Sequence, residues 1–172
     1  MIKCIGIGTN AMTSTAGNAQ TGTVAIGNNA LYALTTGAEN IAIGFECMDA
    51  VDDGAENIAI GYQAMSGETS AKQSLAIGSE ALKIANTTSS GTVGNVAIGH
   101  NCGIAVTTGI RNTVTGAWSM QSNETGGYNT GFGYGALSAV TASNNTALGN
   151  AAGNSTSTGT HNLCLGSNVT TD

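Results

Sequence analysis

One short element, an apolar run closed by glycine, recurs ten times along the chain, and its spacing limits the fold more than any other feature. The closing glycines are Gly8, Gly27, Gly44, Gly61, Gly78, Gly99, Gly116, Gly133, Gly149 and Gly166, separated by 19, 17, 17, 17, 21, 17, 17, 16 and 17 residues. After each glycine come two variable residues, a small residue and often Leu or Met, as in Asn57-Ile58-Ala59-Ile60-Gly61-Tyr62-Gln63-Ala64-Met65. A repeat of this length covering the whole of 1–172 predicts one repeat domain, not several independent cores.

Each unit reads as two short strands and two turns. In Ile58-Ala59-Ile60 large and small residues alternate with the period of two that a strand requires. Stretches such as Thr35-Thr36-Gly37-Ala38 and Asp52-Asp53-Gly54-Ala55 supply the turns. The density of Gly, Asn, Thr and Ser disfavours helix, and 17 residues with two breaks leave no room for a long amphipathic run. The spacing therefore predicts an all-β parallel solenoid of about ten 17-residue coils, stacked about 4.8 Å apart into a rod of roughly 45–50 Å. Proline is absent from all 172 residues, as expected where backbone N–H groups are needed for bonding between coils. The recurring glycine fits a position of positive φ or close backbone approach.

Alternation separates two faces, and Ile58 and Ile60 are assigned to the coil interior, with Ala59 and Gly61 on a flat outer face. Leu31, Met48, Met65, Leu82, Met120 and Leu137 then form a second apolar stripe with no obvious place inside one coil. Its burial against identical chains around a rotation axis makes these six the expected trimer-interface residues. Two spacings are longer than 17, placing extra residues in Thr13–Gly22 and Ile84–Gly94. Insertions of this kind collect as loops on one face of a solenoid and are candidate recognition segments.

Composition excludes several functions. With Lys3, Lys72, Lys83 and Arg111 as the whole basic complement and a net charge of −6, the chain is a poor partner for nucleic acid. No apolar run approaches the roughly 18 residues needed to cross a bilayer, so no membrane insertion is expected. Cys4, Cys47, Cys102 and Cys164 match no metal-ligand spacing; Cys47 and Cys102 fall in the slot otherwise held by Ala11, Ala30 and Ala64 and Cys164 in that of Ala25, and these are read as small buried thiols. Eight of the ten acids lie between Glu39 and Glu80. Asp49, Asp52, Asp53 and Glu56 crowd one loop region and form a weak Ca²⁺ candidate without EF-hand spacing; a solvated acidic turn is the preferred reading. His100 and His161 have no triad-like partners, the glycines of Gly131–Gly135 lack a βαβ frame, and the Asn-x-Thr/Ser triplets follow from composition. Neither catalytic residues nor a cofactor site is assigned. Phe45, Tyr62 and Tyr134 directly follow a closing glycine and Trp118 lies two beyond one, positions suited to packing or to stacking on sugars.

Val24-Ala25-Ile26-Gly27, Asn57–Ala64 and Asn145-Thr146-Ala147-Leu148-Gly149 resemble the head repeats of YadA-type trimeric autotransporter adhesins and the related repeats of bacteriophage tail fibres. The likeness covers essentially the whole chain, and the 17-residue form is more similar to the phage-fibre version. The resemblance implies a left-handed parallel β-roll, three chains about a long axis, attachment to a host or matrix glycan or protein, contact with other fibre or virion proteins, and no catalysis. The chain is accordingly expected to be a segment of a longer virion fibre. The alternative is the head of a bacterial surface adhesin. An ice-binding solenoid, suggested by Thr113, Thr130 and Thr146, and a tailspike glycanase using acids of the first half rank below both.

Overall fold

The computed structural model describes residues 3–14, 21–86, 92–155 and 158–170. Ten three-residue strands follow in order: β1 Ile5–Ile7, β2 Val24–Ile26, β3 Ile41–Ile43, β4 Ile58–Ile60, β5 Leu75–Ile77, β6 Val96–Ile98, β7 Thr113–Thr115, β8 Thr130–Phe132, β9 Thr146–Leu148 and β10 Leu163–Leu165. They form one ten-stranded parallel sheet in sequence order. The chain is a β-solenoid of about nine turns, with no helix among the described residues.

Register is uniform. Ile41, Ala42 and Ile43 of β3 stand opposite Ile58, Ala59 and Ile60 of β4, and the same column-on-column match holds for all nine pairs. Bonding alternates upward and downward: Ile41 N–H donates to Asn57 O at 2.8 Å, while Gly44 N–H donates to Ile26 O at 2.8 Å. It continues beyond the strands, as in Met48 N–H to Ala64 O at 3.0 Å and Gln63 N–H to Phe45 O at 2.9 Å. The coil is thus held rung to rung around most of its circumference, which explains why no proline can be accommodated.

Among the described residues each unit contains one strand, not the two expected. The second apolar stretch follows a different path because residues two and four after the closing glycine are left-handed: Gln63 has φ 49° and Met65 φ 53°. Left-handed residues at alternate positions prevent a pleated ribbon, and the wall opposite the sheet is a stacked turn. The closing glycine allows the chain to enter it. Gly61 has φ 143°, and a Cβ there would lie 2.4 Å from the carbonyl oxygen of Gly78 in the next rung.

The two faces of the strand are reversed relative to the expectation. Ala25, Ala42, Ala59, Ala76, Ala97 and Ala147 point inward and are fully buried, whereas Ile58 and Ile60 are 37% and 36% exposed. The stripe assigned to the trimer interface also lies inside the coil: Leu31, Met48, Met65, Leu82, Met120 and Leu137 are among the largest buried side chains. Size explains both corrections. A narrow coil cannot hold Ile from the sheet wall against Leu or Met from the turn wall, so each small residue opposes a large one and the lumen is filled.

A buried polar column completes the interior. Asn40, Asn57, Asn95, Asn112, Asn129 and Asn145, each directly before a strand, are buried. Asn112 is typical: its Oδ1 accepts from Asn129 N–H at 2.9 Å and its Nδ2 donates to Gly126 O at 3.0 Å. Each such side chain links its own coil to the next. Ser74 substitutes in the fifth coil, its Oγ accepting from Asn95 N–H at 3.3 Å. Glu68 is buried where neighbouring coils place Val51 and Ala85; its Oε1 accepts from the N–H groups of Thr69, Ser70 and Ala71 at 3.0, 3.1 and 3.0 Å, fixing that turn.

Candidate functional site

Because successive rungs are in register, any surface site is built from columns. The outward strand positions form two. The first runs Ile5, Val24, Ile41, Ile58, Leu75, Val96, Thr113, Thr130, Thr146, Leu163, and the second Ile7, Ile26, Ile43, Ile60, Ile77, Ile98, Thr115, Phe132, Leu148, Leu165. Ten rungs about 4.8 Å apart and two columns about 7 Å apart make a face of roughly 340 Å², apolar at every outward position of the first six rungs and interrupted by Thr113 and Thr115 on the seventh. Thr113, Thr130 and Thr146 do stack, but six consecutive Ile, Val or Leu residues precede them in the same column, so the face carries no regular threonine ladder.

The four acids of the calcium candidate are dispersed. Asp52 accepts from the Thr35 hydroxyl, Glu56 Oε2 accepts from Gln73 Nε2 at 2.8 Å, and Asp53 is exposed. Asp49 lies on another part of the coil, beside Tyr32. Among the described residues no three His, Cys, Asp or Glu side chains are placed to hold one metal ion. The inserted segments are described only in part, because residues 15–20 and 87–91 lie outside the described residues.

Cys47, Cys102 and Cys164 are buried and Cys4 is half-buried; no disulfide joins any two of these four described cysteines. Cys47 Sγ donates to Ala59 O at 3.2 Å and Cys102 Sγ to Val114 O at 3.5 Å. Burial in the apolar lumen pushes both thiols up to about 12, the opposite of an activated nucleophile. His100 meets Trp118 edge-on at 5.2 Å, with an interplanar angle of 86°; His161 is exposed. Phe45 and Tyr62, one rung apart, stack at 5.7 Å with rings 10° from parallel. Arg111 lies 5.5 Å over the Tyr128 ring and donates to its hydroxyl at 3.0 Å.

A cleft of about 240 Å³ opens on the turn wall of the first three coils, lined by Asn10, Asn29, Tyr32 and Asp49. Asn10 Nδ2 donates to Asn29 Oδ1 at 3.1 Å, and Ala33 N–H donates to Asp49 O at 3.0 Å, which ties the rung of Tyr32 to that of Asp49. Asp49 Oδ1 is buried and accepts no hydrogen bond. Burial first, and the nearby Glu46 carboxylate second, raise the Asp49 carboxyl above its ordinary value. In the sequence Asp49 reads only as a calcium ligand, and nothing local joins it to Asn10, Asn29 or Tyr32. The signal was the 19- and 17-residue spacing, which places Asn10 beside Asn29 and Tyr32 beside Asp49.

Fold and surface define a single-sheet parallel β-solenoid with an exposed apolar strand face. No family model matches the chain, no curated protein matches it, and no solved structure matches it. Among the described residues no helix is long and apolar enough to cross a membrane.

Proposed function

We propose that this chain is a structural and attachment segment of a fibre built from three copies, with left-handed coils, belonging to a virion tail or head fibre that contacts a host surface. Its role is mechanical and adhesive, not catalytic. The observation that carries the reading is the outward strand face. Ile, Val and Leu columns are the residues a sheet buries, yet no second layer of the described chain covers them, and an apolar strip that runs unbroken over the first six rungs is a candidate interaction surface. Three sheets about one axis would each cover the others' Ile columns and leave the turn walls outside for contact with the host. The resemblance of the Asn57–Ala64 element to phage-fibre repeats supports the choice of three copies and of a virion.

Sedimentation equilibrium tests this directly. The chain mass is 16.9 kDa, so three copies give about 51 kDa. A stable monomer of one chain mass would overturn the oligomeric reading. A dimer would retain a buried strand face but overturn the threefold arrangement.

A further inference from the structure

The outward strand columns alone make a face of roughly 340 Å², whereas a stable protein interface takes about 800 Å² from each partner. Packing between copies therefore needs more surface than these columns supply. The surface beside them is the pair of flanks where the chain enters and leaves each strand. The entry flank is the residue two before each strand; its backbone is left-handed at all ten rungs, with φ between 57° and 69°, so it forms one column from Lys3 to His161. The exit flank is the residue directly after each closing glycine, a second column from Thr9 to Ser167.

Rotation about an axis along the rod leaves height unchanged. Three parallel rods with their sheets facing that axis therefore set the exit flank of one copy beside the entry flank of the next, rung against equal rung. The two columns suit such a meeting. The entry column carries Lys3, Glu39, Glu56 and Arg111, while the exit column carries no Asp, Glu, Lys or Arg at any rung, so like charges are not opposed across it. Glu46 and Glu80, one residue beyond the exit column, are engaged within the chain by Gln63 Nε2 at 2.7 Å and Lys83 Nζ at 3.2 Å. Aromatic side chains mark the same two edges. Phe45, Tyr62 and Tyr134 on the exit column and Tyr128 on the entry column are exposed, and aromatic and Arg residues are the usual anchors of an interface core.

We propose that neighbouring copies are joined along this seam. The Tyr62 hydroxyl of one copy donates to the Glu56 carboxylate of the next, Trp118 lies under the Arg111 guanidinium of the next, and Tyr134 packs on Tyr128 of the next. Ala117, the exit residue at the rung of Arg111, leaves room for the guanidinium to reach Trp118. Arg111 also lies 5.5 Å over Tyr128 of its own chain, so the contacts of the seventh and eighth rungs form one cluster. The seam rests on the three-copy reading and adds to it the side chains that fix how the copies meet.

The test uses the full chain carrying Cys4→Ser, which removes the half-buried thiol. Tyr128 and Tyr134 lie on opposite sides of β8, about 15 Å apart or more along an extended chain, beyond the 4.4–6.8 Å a disulfide spans. A disulfide between these positions therefore joins two chains. Tyr128, Tyr134 and His100 are exposed, so cysteines there leave the coil intact. Tyr128→Cys with Tyr134→Cys should give a covalent trimer on mild oxidation, seen on a non-reducing denaturing gel. Tyr128→Cys with His100→Cys, two rungs out of level and about 10 Å apart along the rod, should stay open. Arg111→Ala and Trp118→Ala should each raise the concentration at which the particle dissociates by about threefold or more, and the double variant should add nothing to the larger of the two. Additive effects would overturn that contact. An open aligned pair in a particle of three chain masses, or preferential closure of the offset pair, would overturn the seam and leave the fibre reading standing. A covalent dimer alone would overturn the threefold seam. A particle of one chain mass would overturn the fibre reading, and the seam with it.

Discussion

Asn112→Ala removes one rung of the buried asparagine column and tests whether that column holds the coils in register. In the native chain the side chain satisfies Asn129 N–H at 2.9 Å and Gly126 O at 3.0 Å, and both of those residues are buried. Alanine fills neither role. Each orphaned backbone group costs about 1–3 kcal/mol, so the expected loss for the two is about 2–6 kcal/mol, a large part of the stability of a domain. Two further variants separate the halves of the interaction. Asn112→Ser retains a short acceptor of the kind Ser74 offers Asn95 and should cost less than alanine. Asn112→Asp keeps the acceptor but presents a carboxylate to the Gly126 carbonyl, so it should be the worst of the three at neutral pH. It should recover in acid, where the protonated group can donate again. Urea unfolding gives the free energies, and hydrogen exchange at Asn129 N–H gives the local effect, which matters because repeat arrays open in parts. An Asn112→Ala cost below about 0.5 kcal/mol, the range of ordinary surface changes, with Asn129 still protected, would refute the reasoning.

Other expectations follow from the inside and outside of the coil. Met65→Ala empties a fully buried position and should cost about 2–5 kcal/mol in denaturant unfolding while leaving the particle mass unchanged; Ile60→Glu, on the outward face, should reduce the mass to one chain with the rungs intact by circular dichroism. With the thiols of Cys47 and Cys102 pushed up to about 12, only about one molecule in ten thousand carries either thiolate at pH 8; a colorimetric thiol titration of the native chain should therefore leave both unreacted until denaturant is added. Asp49 has a raised carboxyl, so between its unfolded value and its folded value the native state holds the extra proton. Its contribution to stability is present in acid and lost as pH rises through the folded value; Asp49→Asn should flatten that part of the stability–pH curve, and an unchanged slope would contradict the assignment.

The period and the parallel, in-register stack are legible in the sequence because they depend on a residue that cannot be replaced cheaply. At Gly61 both the φ and the approach of Gly78 O demand glycine, so the pattern marks every rung. Inside and outside are not legible by the same means. Ile58 and Ala59 are both apolar, so alternation identifies two faces without saying which is the lumen; relative size decided that, once Met65 filled the opposite wall. The second strand failed for a backbone reason: the left-handed φ of Gln63 and Met65 leaves no mark in hydropathy. The asparagine column precedes seven of the ten strands in plain sight, at Asn40, Asn57, Asn95, Asn112, Asn129, Asn145 and Asn162. Asparagine so often ends a turn that its buried role did not stand out. The cleft draws on three successive coils, and its members meet only after the chain is wound at the period.

The register of the rungs carries every column described above, and engineered disulfides measure it. Ile43 and Ile60 are register partners on adjacent rungs, so their Cα atoms stand about 4.8 Å apart, within the 4.4–6.8 Å a disulfide spans. Ile41 and Ile60 are offset by two residues and stand about 8 Å apart by the same spacing. Ile43→Cys with Ile60→Cys should therefore close within one chain on mild oxidation, shown as a compact single-chain band on a non-reducing gel, while Ile41→Cys with Ile60→Cys should stay open. Closure of the offset pair in preference to the aligned one would contradict the stack.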